Sequence, residues 1–467
     1  MRYISTRGGA APRDFESVLL AGLAEDGGLF LPETWPLLLP EDWRALHGLP
    51  YPDMAARVIA RFTGDTFTES ELLAMCRDAY AGFTHPAVAP LVQLDERRFA
   101  LELFHGPTLA FKDFALQLLG RMFDAVLARR GERITIVGAT SGDTGSAAIE
   151  ACRDRANLDI VILHPVGRTS EVQRRQMTTV LSPNVKNIAV HGDFDTCQDL
   201  VKAMFNDAPF RAEMNLSAVN SINWARIAAQ IPYYVAAALA LGAPEREVAV
   251  AVPTGNFGNV FAAWAARRMG LPITELVIGS NRNDILARWL ASNDMSARPV
   301  EPSLSPSMDI QVSSNFERLL FELLHRDPAA TAAAMRAFRE TGRMPVPDAA
   351  WRDATALFHG HAVSDEETVE EMRRLHAGGY LADPHTAAGT AASRAHPPAD
   401  RAVPIIVAAT AHPAKFPDAV EKATGMRPPL PPHMADLYGR EERFSVLDND
   451  LSAVEGAVRA HARRNAP

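Results

Sequence analysis

Lys112 is the residue whose surroundings most clearly suggest chemistry, because it lies among Leu109, Ala110, Phe111 and Phe114. An amine in an apolar environment has a lowered pKa, and an unprotonated amine is what Schiff-base chemistry with an aldehyde requires. A second, purely structural interpretation of Lys112 stays open, and it is the favoured one when the lysine is considered without the other motifs. In it, Lys112 lies at a helix start and extends its ammonium group into water.

Two glycine-containing segments each follow a predicted strand and precede a predicted helix. Residues 254–259 read Thr-Gly-Asn-Phe-Gly-Asn, and residues 138–145 read Gly-Ala-Thr-Ser-Gly-Asp-Thr-Gly. Small residues at a helix start let backbone N–H groups approach an anion, so each segment could bind a phosphate or a carboxylate. The second segment lacks the spacing of the GxGxxG, Walker and nucleophile-elbow motifs. A tight turn without a ligand and a capped helix start remain the structural alternatives.

The elements that must position these residues form an alternating pattern after about residue 90. Short apolar, β-branched runs alternate with amphipathic segments, which predicts a parallel sheet flanked by helices. The predicted strands are 134–137, 160–163, 188–190, 248–252, 276–278 and 404–407. Before residue 90, helical stripes cover 15–23 and about 54–80. Open α/β sheets bind ligands at the carboxyl ends of their strands, where both glycine-containing segments lie.

Length and composition describe a globular chain and disfavour several classes of function. The 467 residues are 47% hydrophobic and 22% charged, which excludes a small disulfide-stapled scaffold and wholesale disorder. The net charge of −9 disfavours a nucleic-acid partner. Three scattered cysteines fit a reducing cytoplasm, and neither they nor the histidines have the spacing of a metal site. No signal-like start and no apolar run of ~20 residues are present, so we expect neither export nor a membrane span.

The segment around Lys112 resembles the lysine signature of fold type II pyridoxal phosphate (PLP) enzymes, the family of the serine/threonine dehydratases. The residues that match in order are Glu102, Thr108, Ala110, Phe111 and Lys112. Most of the chain is similar to the threonine synthase family of bacterial and fungal type. Three motifs are specific to that family: Ser-Gly-Asp-Thr-Gly at 141–145, Gly-Asn-Phe-Gly at 255–258 and Ala-Thr-Ala-His-Pro-Ala-Lys at 409–415. Further similar segments are 3–8, 22–32, 187–195, 220–226 and 383–386.

This resemblance implies an α/β fold of the tryptophan synthase β-like type, fold type II. Two open, twisted, mostly parallel sheets flanked by helices are expected, with a mainly helical N-terminal segment. The resemblance also implies PLP as cofactor, with Lys112 as the residue that binds it and moves protons. Thr410 is expected to hydrogen-bond the pyridine nitrogen, and Asp143 is expected near the phenolate oxygen. The cofactor phosphate is expected at Gly255, Asn256, Phe257, Gly258 and Asn259, the last of which is often Asp in the family.

The resemblance likewise implies which residues bind substrate. The substrate α-carboxylate is expected at Thr140, Ser141 and Thr144. A substrate phosphate is expected at Ser221, Asn223, Arg226 and Lys415. Arg226 supplies the planar, bidentate geometry that suits a phosphate, although an ordinary surface salt bridge is its structural alternative. His385 and His412 are expected to orient other groups and not to bind a metal.

The implied activity is threonine biosynthesis in the cytoplasm: a carbon–oxygen lyase converts O-phospho-L-homoserine and water to L-threonine and phosphate. One alternative is a PLP-dependent threonine/serine dehydratase-like lyase, and another is a related protein that binds a phospho-ligand without turnover. We predict an N-terminal segment at 1–90, a smaller α/β domain with Lys112 at 91–215, and a larger α/β domain with the phosphate loop at 216–467. The expected partner is a small-molecule substrate, without nucleic acid or membrane, and the chain is expected to be a monomer or a homodimer.

Overall fold

Helices and strands alternate through most of the computed structural model, which describes residues 1–218 and 220–463. The helices are α1 Phe15–Ala21, α2 Pro40–Arg44, α3 Tyr51–Thr63, α4 Glu69–Tyr80, α5 Lys112–Arg130, α6 Asp143–Cys152, α7 Glu171–Thr178, α8 Phe194–Asn206, α9 Ala208–Met214, α10 Trp224–Ala228, α11 Ile231–Ala240, α12 Gly258–Arg268, α13 Ile285–Ser292, α14 Phe316–Leu323, α15 Pro328–Thr341, α16 Asp348–Thr355, α17 Asp365–Ala377, α18 Pro384–Ala395, α19 Pro417–Thr424 and α20 Leu451–His461. The strands are β1 Tyr3–Ser5, β2 Phe30–Pro32, β3 Leu91–Gln93, β4 Arg98–Glu102, β5 Ile134–Ala139, β6 Leu158–Pro165, β7 Val185–Val190, β8 Leu216–Ser217, β9 Val248–Pro253, β10 Ile273–Ser280, β11 Phe358–Ala362, β12 Ile405–Ala409 and β13 Ser445–Leu447.

The first of two compact units comprises Met1–Arg77, Phe83–His105 and Ser221–Pro428. Among its described residues, the main sheet has the strand order β11-β10-β9-β12-β4-β3. Its pairs are parallel, apart from the antiparallel pair of β3 and β4. Every residue of β9 and β12 is buried, because helices cover both faces of a parallel sheet and leave no room for polar alternation.

The second unit comprises the described parts of Asp78–Gly82, Gly106–Asn220 and Pro429–Pro467. Its sheet has the strand order β13-β7-β6-β5-β8, with parallel pairing throughout the described strands. All residues of β6 are buried. One hydrophobic core joins this sheet to α8 and α20, and Val161, Leu163, Leu200 and Val458 are among its buried members.

All six predicted strands are confirmed, each within a residue or a few of its predicted bounds. The prediction of one continuous helix over 54–80 is wrong, because the structure has two helices there. Gly64 ends α3 with a φ of 56°, and α4 begins only at Glu69, because glycine adopts this left-handed conformation at little cost. The antiparallel pair of β1 and β2 was not predicted, since each of these strands has only three residues.

The chain enters each unit more than once. Met1–Arg77 belongs to the same unit as Ser221–Pro428, and the described part of Pro429–Pro467 belongs to the same unit as Gly106–Asn220. The linear division into 1–90, 91–215 and 216–467 stays a prediction. No helix formed by the described residues is both long and apolar enough to span a bilayer.

Candidate active site

The segment 254–259 forms the turn between β9 and α12 in the first unit. Phe257 has a φ of 64° and directs the chain into α12. No side chain of the described residues caps the N terminus of this helix, so the first N–H groups of α12 have neither a helical partner nor a capping side chain. A Cβ added to Gly255 would lie 3.0 Å from Ile310 Cδ1, so neighbouring atoms approach the backbone closely. The turn therefore offers N–H groups at the positive end of a helix dipole, which suits an anion.

Neighbouring side chains hold the carbonyl groups of this turn. The Ser313 hydroxyl donates to the Gly255 carbonyl at 2.6 Å, and the Asn315 backbone and side-chain N–H groups donate to the Asn256 carbonyl at 3.1 and 3.0 Å. The Asn259 side-chain oxygen accepts hydrogen bonds from the hydroxyls of Tyr233 and Tyr234. These contacts fix the turn in one conformation before any ligand binds.

Arg226 on α10 is a buried cation with only 4% of its surface exposed. Within the described part of the chain its side chain has no ion pair, and its Nη1 atom is buried without a hydrogen-bond partner. Burial lowers the pKa of Arg226 to about 10, because desolvation disfavours the charged form. The alternative of a surface salt bridge is therefore wrong, and this guanidinium is suited to an anionic group that comes from outside the chain.

Ser221 and Asn223 lie just before α10, and both are tied to the scaffold. The Asn223 side chain accepts from the Ala225 N–H at 3.0 Å and donates to the Leu19 carbonyl at 2.9 Å. The Asn315 amide donates to the Ser221 carbonyl at 3.1 Å as well as to the Asn256 carbonyl. Asn315 thus connects the segment at 221–226 directly to the turn at 254–259.

The N-terminal segment holds the same stretch of chain. The Trp224 indole N–H donates to the Tyr3 hydroxyl at 3.1 Å, and that hydroxyl donates to the Phe62 carbonyl at 2.6 Å. The Arg318 side chain, which is fully buried, donates to the carbonyls of Phe30 and Ile222. Burial lowers the pKa of Arg318 to about 9. Residues 1–90 therefore contribute contacts that position Arg226.

The remaining predicted residues of the first unit lie after β12 and at α18. Thr410 directly follows β12 and is buried, as is Lys415 a few residues later. His385 donates from Nδ1 to the Asp383 carboxylate at 2.7 Å and accepts at Nε2 from the Ser307 N–H at 3.3 Å. Both nitrogens of His385 are thus engaged within the protein, and its role as an orienting residue stays a prediction. No group of three His, Cys, Asp or Glu side chains in the described ranges could hold a metal ion.

Lys112 lies in the second unit as the first residue of α5. Its side chain is only 11% exposed, and its Nζ atom lies 3.5 Å from Asp143 Oδ2. Nζ also lies 5.8 Å from the centre of the Phe111 ring. The prediction that Lys112 lies at a helix start is confirmed, but its amine does not extend into water. Lys112 is instead a largely buried amine beside a buried carboxylate.

The segment 140–145 folds around the Thr140 side chain, whose Oγ1 accepts from the N–H groups of Gly142 and Gly145 at 3.0 and 2.9 Å. Helix α6 begins at Asp143, inside the segment 138–145 that was predicted to precede it. Ser141 is exposed, Thr144 is half-buried and Asp143 is buried. Ser141 and Thr144 are thus the more accessible hydroxyls at this helix start.

Comparison with known families assigns most of the chain. The "Threonine synthase N terminus" family matches residues 2–80, "Pyridoxal-phosphate dependent enzyme" matches 84–408, and "Threonine synthase, C-terminal" matches 386–458. The chain is 55% identical to the threonine synthase of Pseudomonas aeruginosa over the full length of both proteins. This chain belongs to the threonine synthase family.

Solved structures of threonine synthase family members agree with this assignment. A PLP-bound threonine synthase from Brucella melitensis has a TM-score of 0.98 and 52% identity, and the match covers 99% of this chain and 100% of that one. The yeast threonine synthase has a TM-score of 0.94 and 37% identity, and the match covers 98% of both chains. The fold type II architecture is therefore confirmed, and so is PLP as the cofactor of this family member.

The residues of this threonine synthase family member fit PLP by their own chemistry. The uncapped N terminus of α12 suits the phosphate ester of the cofactor. The largely buried Lys112 amine suits its aldehyde carbon. The helix N terminus and the lysine thus suit two different functional groups of the cofactor.

Several residues that build the site were missed in the sequence analysis. Asn315 lies 59 positions from Asn256 and 94 from Ser221, yet it hydrogen-bonds both. Gln173 donates to Asp143 at 2.8 Å. No local spacing relates these residues to the motifs, because only the folded chain brings them together.

Proposed function

We propose that this chain is a PLP-dependent threonine synthase that converts O-phospho-L-homoserine and water to L-threonine and phosphate. The Cγ–O bond breaks and phosphate leaves, while Cβ loses one proton and Cγ gains one to become the methyl group. The hydroxyl of water is added at Cβ, and its remaining proton goes to the phosphate. Membership of the family over the full length supports the reaction type. The observation that carries the substrate is Arg226, a buried guanidinium without an acidic partner among the described residues.

PLP, when bound, stabilises the negative charge that develops on the carbon atoms of the substrate. Lys112 would hold it covalently, and the N–H groups of 255–259 would hold its phosphate. Thr410 would donate a hydrogen bond to the ring nitrogen. Because Lys112 lies beside Asp143, its amine has a nearby carboxylate to balance the positive charge it acquires when it takes a proton from Cα or Cβ.

Substrate recognition in this proposal divides between two anionic groups. Arg226 binds the γ-phosphate, and Lys415, Ser221 and Asn223 surround or position that group. Ser141 and Thr144 bind the α-carboxylate with accessible hydroxyls, while the Thr140 side chain holds their loop in shape. A dehydratase-type substrate without phosphate would leave Arg226 unpaired, which disfavours that alternative.

We also propose a cytoplasmic location and a monomeric or homodimeric state. The three cysteines, Cys76, Cys152 and Cys197, are buried free thiols, which fits a reducing compartment.

The direct test measures phosphate and threonine released from O-phospho-L-homoserine by the purified holoenzyme. We expect both products in equal amounts, and we expect Lys112→Ala to abolish them. Lys202→Ala is the matched control, because Lys202 is an exposed lysine of the same unit whose one ion pair among the described residues is with Asp199. Release of phosphate without threonine would contradict the proposed reaction, and full activity of Lys112→Ala would contradict the assignment of the lysine.

A further inference from the structure

Gln173 on α7 contacts the carboxylate that lies beside Lys112. Its Nε2 atom donates to Asp143 Oδ1 at 2.8 Å, while the other oxygen, Oδ2, lies 3.5 Å from Lys112 Nζ. Gln173 and Asp143 are both about 5% exposed. The three side chains therefore form a connected row, Gln173–Asp143–Lys112, inside the second unit.

The hydrogen bonds of Ser170 determine which way the Gln173 amide points. Gln173 Oε1 accepts from the Ser170 backbone N–H at 3.3 Å and from its hydroxyl at 3.1 Å. A backbone N–H can only donate, so the atom facing it must be the amide oxygen. The NH₂ group must then face Asp143, and the amide orientation follows from this network.

Gly142 leaves room for this amide because it has no side chain. A Cβ added at Gly142 would lie 2.4 Å from the Gln173 Cδ atom, and the residue has a φ of 146°. Gln173 therefore packs directly against the backbone of the Ser-Gly-Asp-Thr-Gly motif. The glycine within that motif and the glutamine outside it depend on each other.

Charged residues next to Lys112 and Gln173 in sequence have partners of their own among the described residues. On α5, the Asp113 carboxylate accepts hydrogen bonds from the Thr108 N–H and hydroxyl. On α7, Arg174 and Arg175 both pair with Glu442. Gln173 is a neutral donor on Asp143, and it favours the carboxylate form without adding a competing charge.

We propose that Gln173 is a positioning residue that holds Asp143 ionised, with Oδ2 presented to the Lys112 nitrogen, so that Lys112 gains and loses its proton against a fixed negative charge. This inference rests on the proposed function, in which Lys112 binds the cofactor. Gln173 contacts neither Lys112 nor the reacting atoms in this proposal and acts through Asp143.

The test is a pH titration of the visible absorption of the cofactor bound to the holoenzyme. In Gln173→Leu the hydrogen bond to Asp143 is lost, the carboxylate is less well held, and positive charge at the Lys112 nitrogen is less favoured. We expect the midpoint of the absorption titration to move to lower pH by about half a unit or more. Should the leucine variant not fold, Gln173→Asn removes the same contact by shortening the side chain, and the same shift is expected.

Gln176→Leu is the matched control on the same helix. Gln176 is as buried as Gln173 but donates to the Thr108 carbonyl instead of to Asp143. We expect it to lower stability by a similar amount and to leave the midpoint unchanged. An unchanged midpoint in the Gln173 variants, or an equal shift in Gln176→Leu, would overturn the inference while the proposed function stands. Borohydride reduction that still attaches the cofactor to Lys112→Ala would instead refute the lysine assignment.

Discussion

Arg226 shows how a single residue can be placed for a ligand at the expense of stability. A guanidinium that is taken out of water without an acidic partner raises the free energy of the folded state. The lowered pKa of Arg226, about 10, reflects the same cost of desolvation. A bound phosphate dianion would offset that cost, so activity and stability should respond to Arg226 in opposite directions.

Replacement of Arg226 by methionine tests this opposition. We expect kcat/KM for O-phospho-L-homoserine to fall by roughly 100-fold or more, because loss of a buried charge pair costs about 2–5 kcal/mol. The melting temperature should stay equal or rise, since the buried unpaired charge is gone. Steady-state kinetics and thermal unfolding measure the two effects. Arg336→Met, at an exposed arginine of α15, should change neither, and unchanged kinetics in Arg226→Met would refute the phosphate assignment.

At the scale of elements, the start of α6 depends on close approach between a glycine and a threonine. A Cβ added to Gly145 would lie 2.4 Å from Thr140 Cγ2 and 2.9 Å from Met177 Sδ. Because the Thr140 hydroxyl also accepts the Gly145 N–H, Thr140 cannot move aside without breaking the loop. The helix start and the loop before it therefore form one rigid piece.

We predict that Gly145→Ala lowers the free energy of unfolding by roughly 1–3 kcal/mol through overpacking. It should also weaken substrate binding at Ser141 and Thr144. Urea unfolding and KM measure these changes. The comparison is Gly131→Ala at the end of α5, where φ is 64° but nothing lies within 4 Å of the added Cβ. Its cost should be about 1–2 kcal/mol, which the left-handed backbone alone accounts for, with KM unchanged. Equal effects of both substitutions would argue against the steric explanation.

The N-terminal elements act on the candidate phosphate-binding segment through Tyr3 and Trp224. We predict that Tyr3→Phe leaves the Trp224 indole N–H and the Phe62 carbonyl without their shared hydroxyl, which costs roughly 2 kcal/mol of stability. KM for the phosphorylated substrate should rise because the segment carrying Arg226 loosens. Tyr438→Phe serves as control, since Tyr438 is 46% exposed. A normal KM in a clearly destabilised Tyr3→Phe protein would separate the N-terminal segment from substrate binding.

For the whole molecule, four histidines with a lowered pKa contribute to how stability changes between pH 7.5 and pH 5.5. Burial lowers the pKa of His164, His396, His433 and His461 below the ordinary value of 6.5. The unfolded chain then binds more protons than the folded chain in this range. The stability that these neutral rings contribute is present above their unfolded pKa and is lost as the pH falls toward their folded pKa.

We therefore predict that the free energy of unfolding falls between pH 7.5 and pH 5.5, by up to about 1.4 kcal/mol per pH unit for each proton involved. In His164→Leu that fall should be smaller, because His164 is 1% exposed and leucine does not titrate. Urea unfolding at both pH values measures the difference. His191→Gln, at an exposed histidine, is the control and should leave this pH-dependent decrease in the free energy of unfolding unchanged. An equally large decrease in His164→Leu would contradict the contribution of His164.

The sequence by itself determined the local elements and the chemistry of the motifs. Buried parallel strands such as β9 appear as uninterrupted apolar runs, and Lys112 and the two glycine-containing segments are short-range patterns. Burial and backbone conformation dictate residue type at such positions, so the pattern can be recognised from the sequence alone. The family resemblance depends on the same short motifs.

Only the tertiary structure decided which distant residues meet. The pairing of β13 with β7, the bridge by Asn315 and the contact of Gln173 with Asp143 join positions that no periodicity relates. Arg226 likewise had two possible environments until the packing of α10 buried it without an acidic partner among the described residues. Such contacts depend on how the elements pack. Packing is determined by the contacts among all elements of the chain together and not by any single segment.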